Sequence, residues 1–333
     1  MREPCHKKFF CLFLGSAFLF VVIIFTYVFL WMNTEPETEM VFGITYSWVY
    51  AQQLGLDPKT TYRDLVEDLK IRRVRIPLYW SEIQQKEGLF DWTLTDDLVR
   101  FSEDHQVELT LVIGAKVPRW PECFIPDWAE SLDVFNREQA ILVFLQTAVE
   151  RYRDSPSVIR WQVENEPFFP FGQCPSLSTA EFEGRVQLVR SLDARPIQVS
   201  VSGEFGSWAQ SARLADVLGI SLYRQTWNTF FGYLFYPFTP DYYFFRSQFI
   251  QRKVSRVIVS ELQAEPWFSV PIQSRPLEDW YQIFTAEMLN HNVQFVREAG
   301  FSEVYFWGAE WWYRLKQNGE DRLWETAKLF FTD

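Results

Sequence analysis

Two stretches of the chain place a glutamate where it could do chemistry. Val158-Ile-Arg-Trp-Gln-Val163 mixes β-branched and aromatic residues in the manner of a buried strand. It runs directly into Glu164-Asn165-Glu166-Pro167, where the proline turns the residue before it away from helix. Glu166 is thereby expected at the C-terminal lip of a strand, beside an amide, Asn165, able to hold a sugar hydroxyl. A second stretch, Arg256-Val-Ile-Val-Ser260-Glu261-Leu-Gln263-Ala-Glu265-Pro266-Trp267, brings Glu261 to a corresponding place. Two carboxyls at strand ends are what hydrolysis of a glycosidic bond requires, one to donate a proton and one to attack or to activate water. Glu166 and Glu261 are therefore the expected catalytic pair.

Positioning them needs a sheet whose strand ends converge. From Met40 onward, strand-like and helix-like segments alternate. The strands are read at Val41–Tyr46, Val74–Trp80, Val107–Gly114, Val158–Val163, Ile197–Val201, Val217–Tyr223, Val257–Glu261 and Val304–Trp307. The helices are read at Tyr62–Lys70, Leu94–His105, Arg137–Arg153, Glu181–Leu192, Trp208–Leu214, Tyr242–Gln251, Trp280–Glu298 and Arg322–Phe330. Such alternation means an α/β chain with a parallel sheet, and eight units predict closure into a (β/α)8 TIM barrel over residues 40–333. The rival, an open doubly wound sheet, lacks its Gly-x-Gly-x-x-Gly turn. In a barrel, residues just past the strand ends share one face. That face is expected to carry Arg75, Trp80, Asn165, Glu166, Tyr223, Glu261 and Trp307. Glu164, two residues before Glu166, is expected to point the same way one pleat deeper, as a supporting carboxylate. Trp267 falls in a loop after a strand, a place to stack on a sugar.

Composition narrows the substrate. The net charge is −11, and the first 33 residues carry a small positive excess, so the remainder is more acidic still. Nucleic-acid binders show the opposite sign, and anionic polymers suit such a surface poorly. Fifteen Trp among 333 residues exceed what a core asks for, and flat rings with an N–H suit sugar faces. The three histidines are scattered, with no metal-ligand spacing, and no nucleophile elbow or phosphate loop is present, so neither metal nor cofactor is expected. Phe9 to Trp31 carries no charge and is long enough to span a bilayer as a helix. The expected organisation is a cytoplasmic tail at 1–8, a transmembrane anchor at 9–31, a linker at 32–39 and an extracytoplasmic barrel. Lys7 and Lys8 before the anchor and Glu35, Glu37 and Glu39 after it orient it in the cell membrane. Of the four cysteines, Cys123 and Cys174 follow successive strands in the external part. Sequence leaves two readings for them, a bridge or two unrelated buried thiols.

The set Arg75-Ile-Pro, Asn165-Glu166-Pro167, Tyr223, Glu261 and Trp307 resembles clan A glycoside hydrolases, in particular the cellulases and mannanases of family 5. The stretch from Tyr79 through Asp91-Trp92 looks like one shared with families 39 and 42. The resemblance runs from Met40 to the C-terminus. It implies Glu166 as general acid/base and Glu261 as the nucleophile of a retaining mechanism on a neutral, β-linked oligo- or polysaccharide. It implies Asn165 on the sugar 2-hydroxyl, Arg75 and Tyr223 on the nucleophile, and Trp307 as the floor of the sugar subsite. Strand six departs from the family pattern, reading Ser221-Leu-Tyr223 where many members carry a histidine ahead of the tyrosine. Two alternatives share the same residues: a catalytically silent glycan-binding barrel, and a transglycosidase whose intermediate is attacked by another sugar.

Overall fold

The computed structural model describes residues 18–23 and 40–332. The chain divides into two units, residues 1–38 and 39–333. Of the expected anchor at 9–31 only residues 18–23 are described, and they are helical; the tail, the linker and the rest of the anchor lie outside the described residues. Among the described residues no helix is long and apolar enough to cross a membrane.

The second unit is a closed barrel of eight parallel strands. In chain order they are β1 (Val41–Thr45), β2 (Arg73–Pro77), β3 (Glu108–Ile113), β4 (Val158–Val163), β5 (Ile197–Ser202), β6 (Val217–Leu222), β7 (Arg256–Gln263) and β8 (Glu303–Trp307). Each pairs with its neighbours in sequence, and β1 closes the ring on β8 with Val41 opposite Glu303 and Thr45 opposite Trp307. The outward side chains of the strands, such as Leu109, Leu111, Val199 and Val259, join one apolar core with the helices packed around them. That burial is the main term holding the layers together.

The barrel interior is different. Val217, Ile258 and Tyr305 make a small apolar cluster inside it, and above them polar side chains form a continuous ladder. Glu303 pairs with Arg160 Nη2 at 3.0 Å, and Arg160 Nη1 donates to Gln198 Oε1 at 2.9 Å. Gln198 Nε2 donates to Gln162 Oε1 at 2.7 Å, and that oxygen also accepts from Arg75 Nε at 2.8 Å. A buried polar group without a partner costs free energy, so each rung fixes the next.

β7 carries one residue too many. Val259 lies opposite Ile220 of β6, but the next pair is Glu261 with Ser221; against β8, Val304 faces Val259 and Phe306 faces Leu262. A β-bulge at Ser260 therefore interrupts the alternation. Ile258 points inward, and without the bulge Ser260 and Leu262 would follow it. With the bulge, Glu261 and Gln263 turn inward and Leu262 joins the outer core.

Three expected elements differ. The helix read over Trp280–Glu298 is two, Leu277–Ile283 and Ala286–Glu298, because Thr285 caps the second by accepting from Met288 N. The helix after β5 is a single turn, Trp208–Ser211. Between β6 and the helix Pro240–Ile250, an antiparallel hairpin of Gln225–Asn228 and Gly232–Phe235 stands over the barrel mouth. β7 also continues past Glu261 to Gln263, so Glu261 lies inside the strand and not at its end.

Candidate active site

Arg75 on β2 is fully buried and organises the centre of the barrel mouth. Its Nη1 donates to Glu261 Oε1 at 2.9 Å and its Nη2 to Asn165 Oδ1 at 2.8 Å. The other Glu261 oxygen accepts from the Tyr223 hydroxyl at 3.1 Å. Asn165 Oδ1 also accepts from Ser200 Oγ at 2.9 Å, so its carbonyl is fully engaged and its amide nitrogen is left as the donor, reaching Glu122 Oε2 at 3.4 Å. The four residues anticipated from sequence, Arg75, Asn165, Tyr223 and Glu261, thus form one connected group.

Glu166 sits just past β4 with a positive φ of 45°, a conformation a non-glycine residue adopts only where its surroundings impose it. Ser200 Oγ accepts from its backbone N–H at 2.8 Å, and Lys116 Nζ donates to its carbonyl at 3.1 Å. Its carboxyl accepts from Ser221 Oγ at 2.6 Å. Burial first, and then the charge of Glu261, push the Glu166 carboxyl up to about 7. Glu166, Glu261, Tyr223 and Trp267 line one cavity of about 300 Å³, whose outer wall is the hairpin through Trp227 and Leu234. Trp267 stands edge-on to Tyr223, ring centroids 5.8 Å apart.

Three expectations are corrected. Glu164 does not lie one pleat below Glu166. It has already left the strand, with φ 57°, and its carboxylate accepts from the backbone N–H groups of Ala115 and Lys116 while pairing with Arg185 at 2.7 Å. It braces the loop after β3 from behind. Gly114 allows this, because a side chain there would overlap the Glu164 carboxylate. Trp80 does not reach the cavity: it is wholly buried against Trp128 and Phe144, with its Nε1 donating to Gln84 Oε1 at 2.7 Å. Trp307 does not present a bare floor, since the Arg119 guanidinium lies over its ring, 4.0 Å from the centroid.

Of the two readings of the cysteines, the bridge is the one present: Cys123 and Cys174 are bonded, with Cα atoms 5.2 Å apart, tying the loop after β3 to the loop after β4. The bridge sets Glu122 into the cavity, where burial and then the neighbouring Glu166 charge hold its carboxyl well above the usual range. Sequence reading passed over Glu122; its place beside Cys123 was the one signal available. Glu204, from the loop after β5, is buried as well. It accepts from the Tyr243 hydroxyl at 2.6 Å and the Tyr223 N–H at 3.2 Å, and burial pushes it to about 7.

No family model matches the sequence, and no curated protein is similar to it. Solved structures are similar in fold. GH5_18 from Streptomyces cattleya in complex with GlcNAc superimposes with a TM-score of 0.56 and 14% identity, over 81% of this chain and 70% of that one. The β-galactosidase from the psychrophilic Marinomonas ef1 gives 0.54 and 14%, over 80% of this chain and 54% of that one. A glycosylated endo-β-1,4-xylanase of glycoside hydrolase family 10 from Gloeophyllum trabeum gives 0.53 and 14%, over 81% and 84%. The chain thus spans about half the length of the β-galactosidase it resembles. At such identity the likeness is one of fold, a closed eight-stranded parallel barrel, and it does not single out family 5.

Proposed function

We propose that the chain is a retaining glycoside hydrolase that cleaves O-glycosidic bonds of a neutral, β-linked oligo- or polysaccharide through a glycosyl-enzyme. The observation that carries this reading is the unequal setting of two carboxyls on one cavity. Glu261 is ion-paired to Arg75 and bonded by Tyr223, whereas the Glu166 carboxyl meets a serine hydroxyl and holds its proton to about pH 7. Environments that push two carboxyls apart assign an acid and a nucleophile. In the first step the Glu261 carboxylate attacks the anomeric carbon, and the glycosidic oxygen leaves with the Glu166 proton. The new ester cancels the charge of Glu261, so Glu166, now ionised, takes a proton from water as that water attacks and frees Glu261. Asn165, its carbonyl held by Arg75 and Ser200, offers its amide N–H to the sugar ring.

The net charge of −11 favours a neutral glycan. The fold shared with a β-galactosidase and a β-1,4-xylanase, and with a structure holding GlcNAc, supports a β-linked carbohydrate. The uncharged run Phe9 to Trp31 supports membrane attachment of the barrel on the extracytoplasmic side, which protease protection of the N-terminal tail in sealed vesicles tests.

The test is hydrolysis across gluco-, manno-, xylo- and galacto-configured β-oligosaccharides, with the first-formed anomer read by NMR. Glu166→Gln and Glu261→Gln should each lose activity by on the order of 10²–10⁴-fold, and the wild type should release the β-anomer first. An α-anomer would replace retention by inversion. Oligosaccharide binding without turnover would make the chain a glycan-binding barrel.

A further inference from the structure

Around the barrel, the two halves of the mouth are built differently. Over the loops that follow β4, β5 and β6, the cavity opens from Glu166 toward Glu204 and the hairpin. The other half is closed by an ionic network. Arg119, from the loop after β3, pairs with Glu265 beyond β7 and with Glu310 beyond β8, the latter at 3.3 Å. Glu310 in turn accepts from the backbone N–H of Ser47 beyond β1. The Arg119 guanidinium is stacked between Tyr50, 3.7 Å from its ring centroid, and Trp307. Tyr79, beyond β2, joins by donating to Pro118 O at 3.1 Å. All of these residues are buried, Glu310 completely.

The direction of proton transfer tells the two halves apart. Glu166 must reach the oxygen that leaves, so the aglycone lies on its side, the open one; Asn165 and Glu261, both held by Arg75, mark the place of the sugar whose bond is cut. What lies beyond that sugar is the ionic wall. Arg119 Nε is buried in it without a hydrogen-bond partner among the described residues, and such a group is costly unless something supplies the bond. The cavity itself, about 300 Å³, stands at the low end of small-ligand sites and runs from Glu261 and Glu166 toward Glu204 and the hairpin, on the side away from the wall.

Building on the hydrolase reading above, we propose that the enzyme works from chain ends. The Arg119–Glu265–Glu310 wall closes the glycone side, so the site takes one terminal, non-reducing sugar and releases it as a monosaccharide. The hydroxyls at that sugar's far edge meet Arg119 and Glu265, and the remainder of the substrate leaves along the aromatic hairpin. A buried ionic wall is also a discriminating one, since a longer chain would have to break it without replacing its bonds.

The experiment compares a β-linked tetrasaccharide with the same chain carrying a benzylidene acetal on its non-reducing terminal sugar. Hydrolysis is followed in the wild type and binding in Glu261→Gln. The unblocked chain should give monosaccharide and trisaccharide from the first time point, and the acetal should reduce both turnover and binding by roughly 100-fold or more. Arg119→Ala should recover at least about tenfold on the blocked chain. Disaccharide as an early product, or a blocked chain handled within about threefold of the free one, overturns the closed end. Failure of Arg119→Ala to recover overturns the assignment to this wall. Binding of the free chain in Glu261→Gln with no turnover in the wild type would sink the hydrolase reading alone, and the binding ratio would still judge the pocket.

Discussion

Glu166 and Glu261 have the same side chain, and the barrel makes them different by what it sets beside each. The arginine goes to Glu261 and a serine to Glu166. With the Glu166 carboxyl at about 7, kcat/KM should fall as pH rises through 7, because the acid is lost. The same fall should vanish in Glu166→Gln assayed with a dinitrophenyl glycoside, whose leaving group needs no proton; an alkaline limb that persists there would assign it to another group. At this scale the sequence was most informative where a residue sits on or next to a strand. Arg75, Asn165, Glu166 and Tyr223 could be placed because barrel strands converge at the mouth, and Glu261 was assigned to the right strand although it lies inside it and not at its end. Glu122 and Arg119 could not, since both lie in the loop after β3, whose path depends on a cross-link and on charges far away in the chain. Trp80 misled for a related reason: an aromatic just past a strand end reads as a ligand-stacking residue until the helix Val134–Tyr152 is seen packing Phe144 upon it.

At the level of elements, the bulge at Ser260 sets which residues of β7 face the barrel interior. Deleting Ser260 should restore strict alternation with Val259 still outward and Glu261 still inward, because Ser260 is the surplus residue of the register. The deletion variant should therefore keep activity well above that of Glu261→Gln; a deletion variant as inactive as Glu261→Gln, with far-UV circular dichroism still barrel-like, would refute this register. Nothing in Val257-Ile-Val-Ser-Glu261 announced this, because a bulge is a relation between neighbouring strands. The loops after β3 and β4 depend on the Cys123–Cys174 bridge, which spans 51 positions. Replacing both cysteines by alanine should cost about 2–4 kcal/mol in chemical denaturation, with KM rising more than kcat falls as Glu122 and Arg119 lose their anchor. Strands and most helices were legible from apolar periodicity. The hairpin over the mouth was not, since its aromatic run follows a strand and precedes a helix with no change in composition; its Asn228 turn, accepting from Phe230 and Phe231 N–H, became visible only in three dimensions.

Taken whole, the barrel buries acidic groups at its mouth and should be sensitive to alkali. Burial raises Glu204 and Glu310 to about 7 from an unfolded value near 4.5. The folded state therefore binds more protons than the unfolded one between those limits. The stability this gives is fully present below about 4.5 and lost as pH rises through about 7. Melting temperature should decline from pH 5 to pH 8, and Glu204→Gln, which can still accept from Tyr243 and Tyr223, should flatten part of the decline. For Glu204 the effect is at most about 3 kcal/mol; a flat wild-type profile would contradict it. Alternation of eight strand and helix signals was enough to read the architecture, because short-range pattern and long-range closure agree in this fold.

That closure has a kinetic side. The ring is completed by hydrogen bonds between β1, the first of the eight barrel strands to be synthesised, and β8, the last of the eight. Until β8 emerges, β1 keeps an unpaired edge, and the Arg75 ladder has no Glu303 to stand on. Such distant pairing makes folding slow and leaves that edge open to wrong partners meanwhile. The first barrel strand must wait for the eighth, and the nascent barrel is most vulnerable until that strand has emerged.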